Sequence, residues 1–377
     1  MRVLYLRYLI YSPDRYDPTK PTSSILYTDV NNLYGYAMSQ PLPKSGFLIV
    51  SDERVREIEH ALQAGGPIPN RPEGVGFFFE VDLEYPAEIH PDHIDYPLAP
   101  ERMQISAETK SLLQQALQER YERRPQNYSK LVPNLHDKQK YKLHHENLLY
   151  YLKRGMRLVK IHRAVSFLQE AWLEPYIRLN TQLRQKALSP FERDLFKKCN
   201  NIIFGKSCEK LEDRTNIQLV QVERVFRQLM SRPHCKNFRI FSNTLAAVEM
   251  RKTQIKIDRP MFVGSTVLEL SKLLMYRIHY EHFQAVYGRM ARLIYTDTDS
   301  LVYHIESDNI LADCFEHRED VFDMSTLPPT SPYYDARNKD VPGYLKVETG
   351  AEIVTEFVAL AAKMYSYKTV ARHRRRA

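Results

Sequence analysis

The sequence predicts an α+β fold, in which an antiparallel sheet is backed by helices and an α-helical hairpin forms a separate part. Two β-branched runs far apart in the chain end in carboxylates, at Asp29 and at Asp297–Asp299. Between them lie two helical patterns separated by a turn of about three residues. Strands that are distant in sequence, with helices between them, favour an α+β fold.

Length and composition are those of a globular protein. The chain has 377 residues, of which 43% are hydrophobic, so it can bury a sizeable core in two or three subdomains. No run of about 18 apolar residues occurs, so we expect neither a membrane span nor a signal peptide, and an intracellular protein without a membrane partner. The four cysteines show no Cys-x-x-Cys spacing and are expected to be free thiols in a reducing compartment.

The charge indicates an anionic partner. The formal net charge is +8, and twenty-five tyrosines, many beside Lys or Arg, can combine stacking with phosphate contacts. The alternative for any one tyrosine is simple packing in the core. The basic tail Arg372–Arg376 also allows a nuclear location if the host is eukaryotic.

The first predicted strand places a carboxylate at its end. Ser23–Asp29 alternates as a strand does, and Leu33–Met38 follows as a turn or short helix that Pro41 stops. The segment 46–165 is an insertion of mixed character. Its clearest elements are a strand over Gly76–Leu83 and a helix over Lys138–Leu152.

A helical hairpin is predicted next. Between Phe167 and Lys186, apolar residues recur at three- and four-residue spacing and indicate an amphipathic helix packed on the core. These residues are Leu168, Trp172, Tyr176, Leu179 and Leu183. Ser189 is predicted as the N-cap of a second, antiparallel helix, with Pro190 at its first position and Glu192 completing a capping box.

One face of this second helix suits a nucleoside triphosphate. Arg193, Lys197 and Asn201 fall at i, i+4 and i+8, with Phe204 and Gly205 one turn further. The two cations can hold phosphates, the ring can lie near a base or sugar, and the glycine allows close backbone approach. The alternative is a solvated basic face.

A long helix over Val267–Tyr287 then leads into a β-hairpin. Its strands are Ile294–Thr296 and Leu301–Tyr303, and Asp297–Ser300 forms the turn, so carboxylates at i and i+2 are expected on one face. A strand is also expected at Gln218–Val222.

If the strand carrying Asp29 pairs beside this hairpin, Asp29, Asp297 and Asp299 converge. Such a cluster repels itself unless Mg²⁺ or Mn²⁺ lies within it, which indicates a two-metal phosphoryl-transfer site. A solvated turn is the alternative for either motif taken alone.

Together, the motifs resemble those of family B DNA polymerases of the protein-primed branch, particularly those of Polinton/Maverick-type transposons and related viruses. Asp29–Gly35 and Tyr295–Ser300 are similar to the two palm motifs, Lys197–Gly205 to the fingers motif, and Lys363–Tyr367 to the Lys-x-Tyr element that holds the primer terminus. The resemblance spans nearly the whole chain and implies a polymerase palm with an α-helical-hairpin fingers subdomain.

The resemblance implies roles for the acidic residues and the gate. Asp29 and Asp299 would bind two Mg²⁺ or Mn²⁺ ions, and Asp297 would support them. Tyr34 would be a steric gate against a 2′-hydroxyl.

It also implies roles on the fingers and at the primer end. Lys197 would neutralise the triphosphate of the dNTP substrate, and Asn201 and Phe204 would shape the pocket of the nascent base pair. Lys363 and Tyr365 would bind the primer.

The implied function is template-directed DNA synthesis, with deoxynucleotides added to a primer 3′-hydroxyl or a protein hydroxyl. The partners would be template and primer DNA and a terminal protein. The implied subdomains are palm at 1–45, an insertion at 46–165 where this branch contacts the terminal protein, fingers at 166–212, palm at 213–350, and the start of the thumb with a basic tail at 351–377.

The sequence departs from the family pattern in four places. Only 28 residues precede Asp29 and ten follow Tyr367, so neither a proofreading exonuclease nor a full thumb is expected. Ile202 replaces a small polar residue, and Ala359–Ala362 replaces a stretch that commonly holds Gly and Arg. Besides a DNA polymerase core, truncated but catalytic or part of a longer gene, two hypotheses therefore stay open: an inactive remnant that only binds DNA, and an unrelated two-metal nuclease.

Overall fold

The computed structural model describes residues 8–9, 22–104, 116, 120, 129–361, 363–370 and 373–376. Within them the α+β architecture is confirmed: the sheets are built almost entirely of antiparallel strands and are flanked by helices. Contacts divide the chain into one large unit, 1–201 with 266–377, and a small unit, 202–265. The basic tail from Arg372 was predicted from sequence alone, and the side chains of residues 371–377 lie outside those the structure describes.

The largest sheet runs through the large unit, and its central strand is Ser23–Val30. On one side this strand pairs with Ser300–Glu306, which pairs in turn with Ala291–Asp297. These two strands form the predicted hairpin, here called the aspartate hairpin. The other described strands of this sheet are Tyr8–Leu9, Phe322–Asp323, Leu345–Val347, Val354–Ala361, Met364–Thr369 and His373–Arg376.

The two faces of this sheet are covered differently. A helix over Met261–Arg277 continues through a π-helical turn, Ile278–Phe283, into Gln284–Tyr287. Leu26, Val30, Leu301 and Tyr303 of the sheet form one core cluster with Met275 and Phe283 of this helical segment. Because strand side chains alternate, Asp29 lies on the opposite face, with Ile25 and Tyr27.

The insertion contains its own antiparallel sheet. Its strand order is Leu42–Ile49, Arg157–Glu170, Val75–Glu84, Lys138–His144. The predicted bounds at 45/46 and 165/166 therefore fall inside strands. Its further elements are the helices Asp52–Gln63, His90–His93 and His145–Lys153, and the paired strands Glu101–Gln104 and Ser129–Val132.

The predicted helix over Lys138–Leu152 is wrong in its first half. Lys138–His144 is a strand paired with Val75–Glu84, and the helix begins only at His145. The pairing buries Leu143 in the insertion sheet, so tertiary contacts override the helical pattern.

The helical hairpin consists of Glu174–Lys186 and Pro190–Ser207. Its capping box is confirmed: the Glu192 amide donates to Ser189 Oγ and the Ser189 amide donates to a Glu192 carboxylate oxygen, both at 3.2 Å. Two expectations are wrong. The first helix begins at Glu174, since Arg157–Glu170 is a strand, and the apolar stripe of Trp172, Tyr176, Leu179 and Leu183 is exposed, whereas Ile177 is buried.

The small unit is a three-stranded antiparallel sheet with a helix. Its elements are Asn216–Val220, Glu223–Met230, Cys235–Ser242 and Leu245–Met250. Val220, Leu229, Val248 and Met250 form its core. The strand predicted at Gln218–Val222 is confirmed with a shift of two residues.

The segment 351–377, predicted as the start of the thumb with a basic tail, supplies the strands Val354–Ala361 and Met364–Thr369 of the large sheet. The large unit also contains a helix over Ile310–Glu316. Among the described residues, no helix is both long and apolar enough to cross a membrane.

Candidate active site

The register of the central strand places Asp29 between two neighbouring strands. Ser300 lies opposite Asp29 on one side and Lys346 lies opposite it on the other. The predicted pairing of the Asp29 strand beside the aspartate hairpin is therefore confirmed. This carboxylate stands on the face that the long helix does not cover.

A tight turn brings the second acidic motif to the same place. Asp297 pairs with Ser300, so Thr298 and Asp299 form the turn, and Thr298 takes a φ of 61°. The Asp299 amide donates to the Asp297 carbonyl, and the Asp299 carbonyl accepts from the Val30 amide, both at 2.7 Å. The turn and the central strand thus hold the backbone of Asp299. Because Asp299 lies in the turn, its side chain does not follow the alternation of strand residues.

A lysine and a glutamate that the sequence analysis missed complete the cluster. Lys346 Nζ lies 3.0 Å from Asp29 Oδ1 and 2.9 Å from Glu348 Oε1. Burial raises the pKa of Asp29 to about 6; the Lys346 charge opposes this rise, and the Asp299 and Glu348 charges add to it. The alternation Lys346-x-Glu348 at the end of the strand Leu345–Val347 was the available signal, since residues i and i+2 of extended backbone share a face.

The fingers lysine acts on the same cluster. Burial raises the pKa of Asp299, and the nearby Asp297 charge adds to this effect. The positive charges of Lys346 and Lys197 oppose it. Lys197, which extends from an exposed position of the second hairpin helix, is therefore close enough to influence Asp299 electrostatically.

The two predicted primer residues lie at the edge of the cluster. Lys363 Nζ lies 2.8 Å from an Asp297 carboxylate oxygen, and its amide donates to the Tyr295 hydroxyl at 3.0 Å. The hydroxyls of Tyr365 and Tyr27 are 2.8 Å apart. Lys363 is 73% exposed, so it can exchange Asp297 for another anion at little cost.

Arg193 has a partner within the chain. Its guanidinium lies 2.9 Å from Asp340 Oδ2, and that of Arg184 lies 3.0 Å from Asp340 Oδ1. Asp340 thus ties both hairpin helices to the loop before Lys346. The assignment of Arg193 to a triphosphate stays a prediction, in competition with this ion pair.

The remaining predicted residues occupy varied positions. Tyr34 is half-buried on the short helix Leu33–Met38, which directly follows the central strand. Asn201 is exposed on the second hairpin helix. Phe204 and Gly205 belong to the small unit, where the ring is half-buried and the glycine exposed.

The charge and the donor atoms of the site suit divalent cations, but its carboxylates are not arranged as a ligand set. Its donors are carboxylate oxygens, which Mg²⁺ and Mn²⁺ prefer. In the described part of the chain, however, no three His, Cys, Asp or Glu side chains are grouped so as to hold an ion. The carboxylates are near one another, but Lys346 and Lys363 occupy two of them, so the predicted convergence is partial.

The geometry can be compared with solved structures. Phi29 DNA polymerase complexed with primer-template DNA and incoming nucleotides matches 95% of this chain with a TM-score of 0.50 and 16% identity. The chain has a DNA polymerase-like fold. An orthorhombic crystal form of phi29 DNA polymerase gives a TM-score of 0.48 at 17% identity over 94% of this chain.

The match covers only part of the solved protein. The chain spans 49% of the phi29 DNA polymerase chain in the nucleotide complex. No family model matches the sequence, and no curated protein matches it significantly.

Proposed function

We propose that this chain is a DNA polymerase core, which adds deoxynucleotides to a primer 3′-hydroxyl under the direction of a template. The observation that supports this best is the register of the central strand. It places Asp29 beside the Asp297–Asp299 turn, with Lys197 close enough to act on Asp299. The polymerase-like fold is consistent with this arrangement.

In this proposal the chain's own residues position the reactants. Asp29 and Asp299 would hold two Mg²⁺ or Mn²⁺ ions, and Asp297 would support them. When bound, two such ions lower the pKa of the primer hydroxyl and neutralise charge on the phosphates.

The other predicted residues act on substrate and primer. Lys197 would pair with the triphosphate as a mobile point charge. Tyr34 would lie under the sugar and exclude a 2′-hydroxyl. Lys363 would leave Asp297 for the backbone of the primer terminus. Sequence choice would come from the template base, so DNA would be held through its backbone in a salt-dependent way.

The finer proposal is that the chain belongs to the protein-primed branch of mobile elements and viruses. Its insertion, with a sheet of its own, would contact the terminal protein whose hydroxyl accepts the first nucleotide. With such a protein and labelled dNTP, we expect a protein-linked nucleotide. If the chain extended DNA primers but formed no protein-linked nucleotide, the proposal would be restricted to the polymerase core.

Primer extension on a primed single-stranded template tests the main proposal. With Mg²⁺ or Mn²⁺ at low salt, we expect nucleotide-dependent extension by the wild type and none by Asp299→Ala. A folded protein that binds the template without extending the primer would favour the inactive remnant. Metal-dependent DNA cleavage without nucleotides would favour a nuclease.

A further inference from the structure

We propose that Lys346 is an internal counter-ion of the acidic cluster, which holds the place of a divalent cation in the metal-free protein and is displaced when the cation binds. This inference rests on the proposed function, because it concerns the same site. It assigns to Lys346 a positioning role that neither the motifs nor the fold comparison provides.

The contacts of Lys346 are those of a bridging cation. It lies directly opposite Asp29 on the neighbouring strand, and its ammonium group lies within 3.0 Å of Asp29 and 2.9 Å of Glu348. The side chains of Lys346, Asp29 and Glu348 are 26%, 23% and 33% exposed, so solvent screens this bridge less than a surface ion pair. Without the ammonium group, Asp29, Glu348 and Asp299 would repel one another at short range.

The charges explain why the ammonium group of Lys346 stays in the acidic cluster and why a divalent cation can displace it. Lys346 stays in the cluster because its ammonium group lies between two carboxylates, 3.0 Å from Asp29 and 2.9 Å from Glu348. A divalent ion carries twice that charge and attracts the same carboxylates more strongly. The flexible lysine stem lets the ammonium group withdraw toward solvent without moving the strand.

Lys346 and a bound cation would use the same oxygen of Asp29. Among the described side chains no three potential ligands are grouped for an ion, while Lys346 occupies the Asp29 oxygen that the proposed function assigns to one. The ion and the ammonium group therefore compete for Asp29. Competition predicts that a neutral side chain at position 346 strengthens metal binding and weakens the metal-free fold.

Binding of Mn²⁺ to the full chain, measured by the electron paramagnetic resonance signal of free Mn²⁺, tests this competition. We expect Lys346→Met to bind Mn²⁺ at least about tenfold more tightly than the wild type, a difference of about 1.4 kcal/mol. In EDTA we expect it to melt at a lower temperature, and Mn²⁺ to raise its melting temperature by more. Lys346→Arg should behave like the wild type.

Lys368→Met is the matched control. Lys368 pairs with Glu356 at 2.8 Å in the same sheet, so this variant loses a comparable ion pair without touching the cluster. We expect no change in its Mn²⁺ affinity. Equal Mn²⁺ affinity of wild type and Lys346→Met, or weaker binding by the variant, would overturn the inference.

A measurement on the wild type avoids any folding defect of the variant. Amine acylation followed by mass spectrometry should label Lys346 faster with Mn²⁺ than in EDTA, with Lys368 as the internal reference. Unchanged labelling of Lys346 at saturating Mn²⁺ would overturn the inference. Failure of the proposed function would give a different result. If Asp299 held no metal ion, the wild type and Asp299→Asn would bind Mn²⁺ equally.

Discussion

Replacing Asp29 by asparagine should stabilise the metal-free protein while it abolishes the proposed activity. Asp29 has few contacts that favour its charge: Lys346 is one, whereas burial and the nearby Asp299 and Glu348 charges all disfavour it. Asparagine has nearly the same shape and no charge. The variant therefore removes an electrostatic repulsion that lowers the stability of the fold and that the proposed activity requires.

The magnitude follows from the pKa. An aspartate pKa of 3.8 is raised to about 6 at Asp29, so the folded state binds this proton more tightly than the unfolded state. The stability contributed by protonated Asp29 is fully present below pH 3.8 and is lost as the pH rises through 6. At about 1.4 kcal/mol per tenfold change in proton affinity, the Asp29 charge costs about 3 kcal/mol at pH 8 and about 0.5 kcal/mol at pH 4.

Urea unfolding in EDTA at pH 4, 6 and 8 measures this cost. Asp29→Asn should exceed the wild type in free energy of unfolding by about 3 kcal/mol at pH 8, and the gain should shrink to about 0.5 kcal/mol at pH 4. Asp320→Asn, at an exposed position, should change little at any pH. A variant less stable than the wild type at pH 8, or a gain of equal size at pH 4, would refute the reasoning.

Three further substitutions separate the roles of other residues. Lys197→Met should raise the KM for dNTP about tenfold, whereas Lys198→Met on the same helix should not, and equal effects would contradict the role of Lys197. Tyr34→Val should reduce discrimination against ribonucleotides at least about tenfold, and Tyr34→Phe, which keeps the ring, should preserve it; unchanged discrimination in both would exclude the gate. Gly343→Ala should destabilise the fold by about 2 kcal/mol in urea unfolding, because its φ is 94° and the new methyl group would lie 2.6 Å from a tyrosine ring. Gly205→Ala, whose methyl group meets nothing within 4 Å, should be neutral or slightly stabilising, and equal losses in both glycine variants would contradict this.

The sequence was most informative where local chemistry decides the structure. The aspartate hairpin and the Ser189 capping box depend on a few neighbouring residues, and both are confirmed. It was least informative where long-range pairing decides: Lys138–His144 carries a helical pattern but forms a strand because Val75–Glu84 lies beside it. The apolar stripe of the first hairpin helix has the spacing of a core helix, but spacing alone does not show whether another element covers it.

The residues that the sequence analysis missed have a common reason. Lys346 and Asp340 lie in the segment after the aspartate hairpin, in which the sequence analysis identified no motif, and only strand register and ion pairing show their contacts with the site. Each places its charge against the opposite charge of a predicted site residue, Asp29 for Lys346 and Arg193 for Asp340. The charges to which the proposed function assigns ions and phosphates are thus paired with opposite charges of the chain itself. Under the proposed function, an ion or a phosphate would have to replace one of these internal partners, so the strength of its binding would depend on Lys346 and Asp340 as much as on the motif residues.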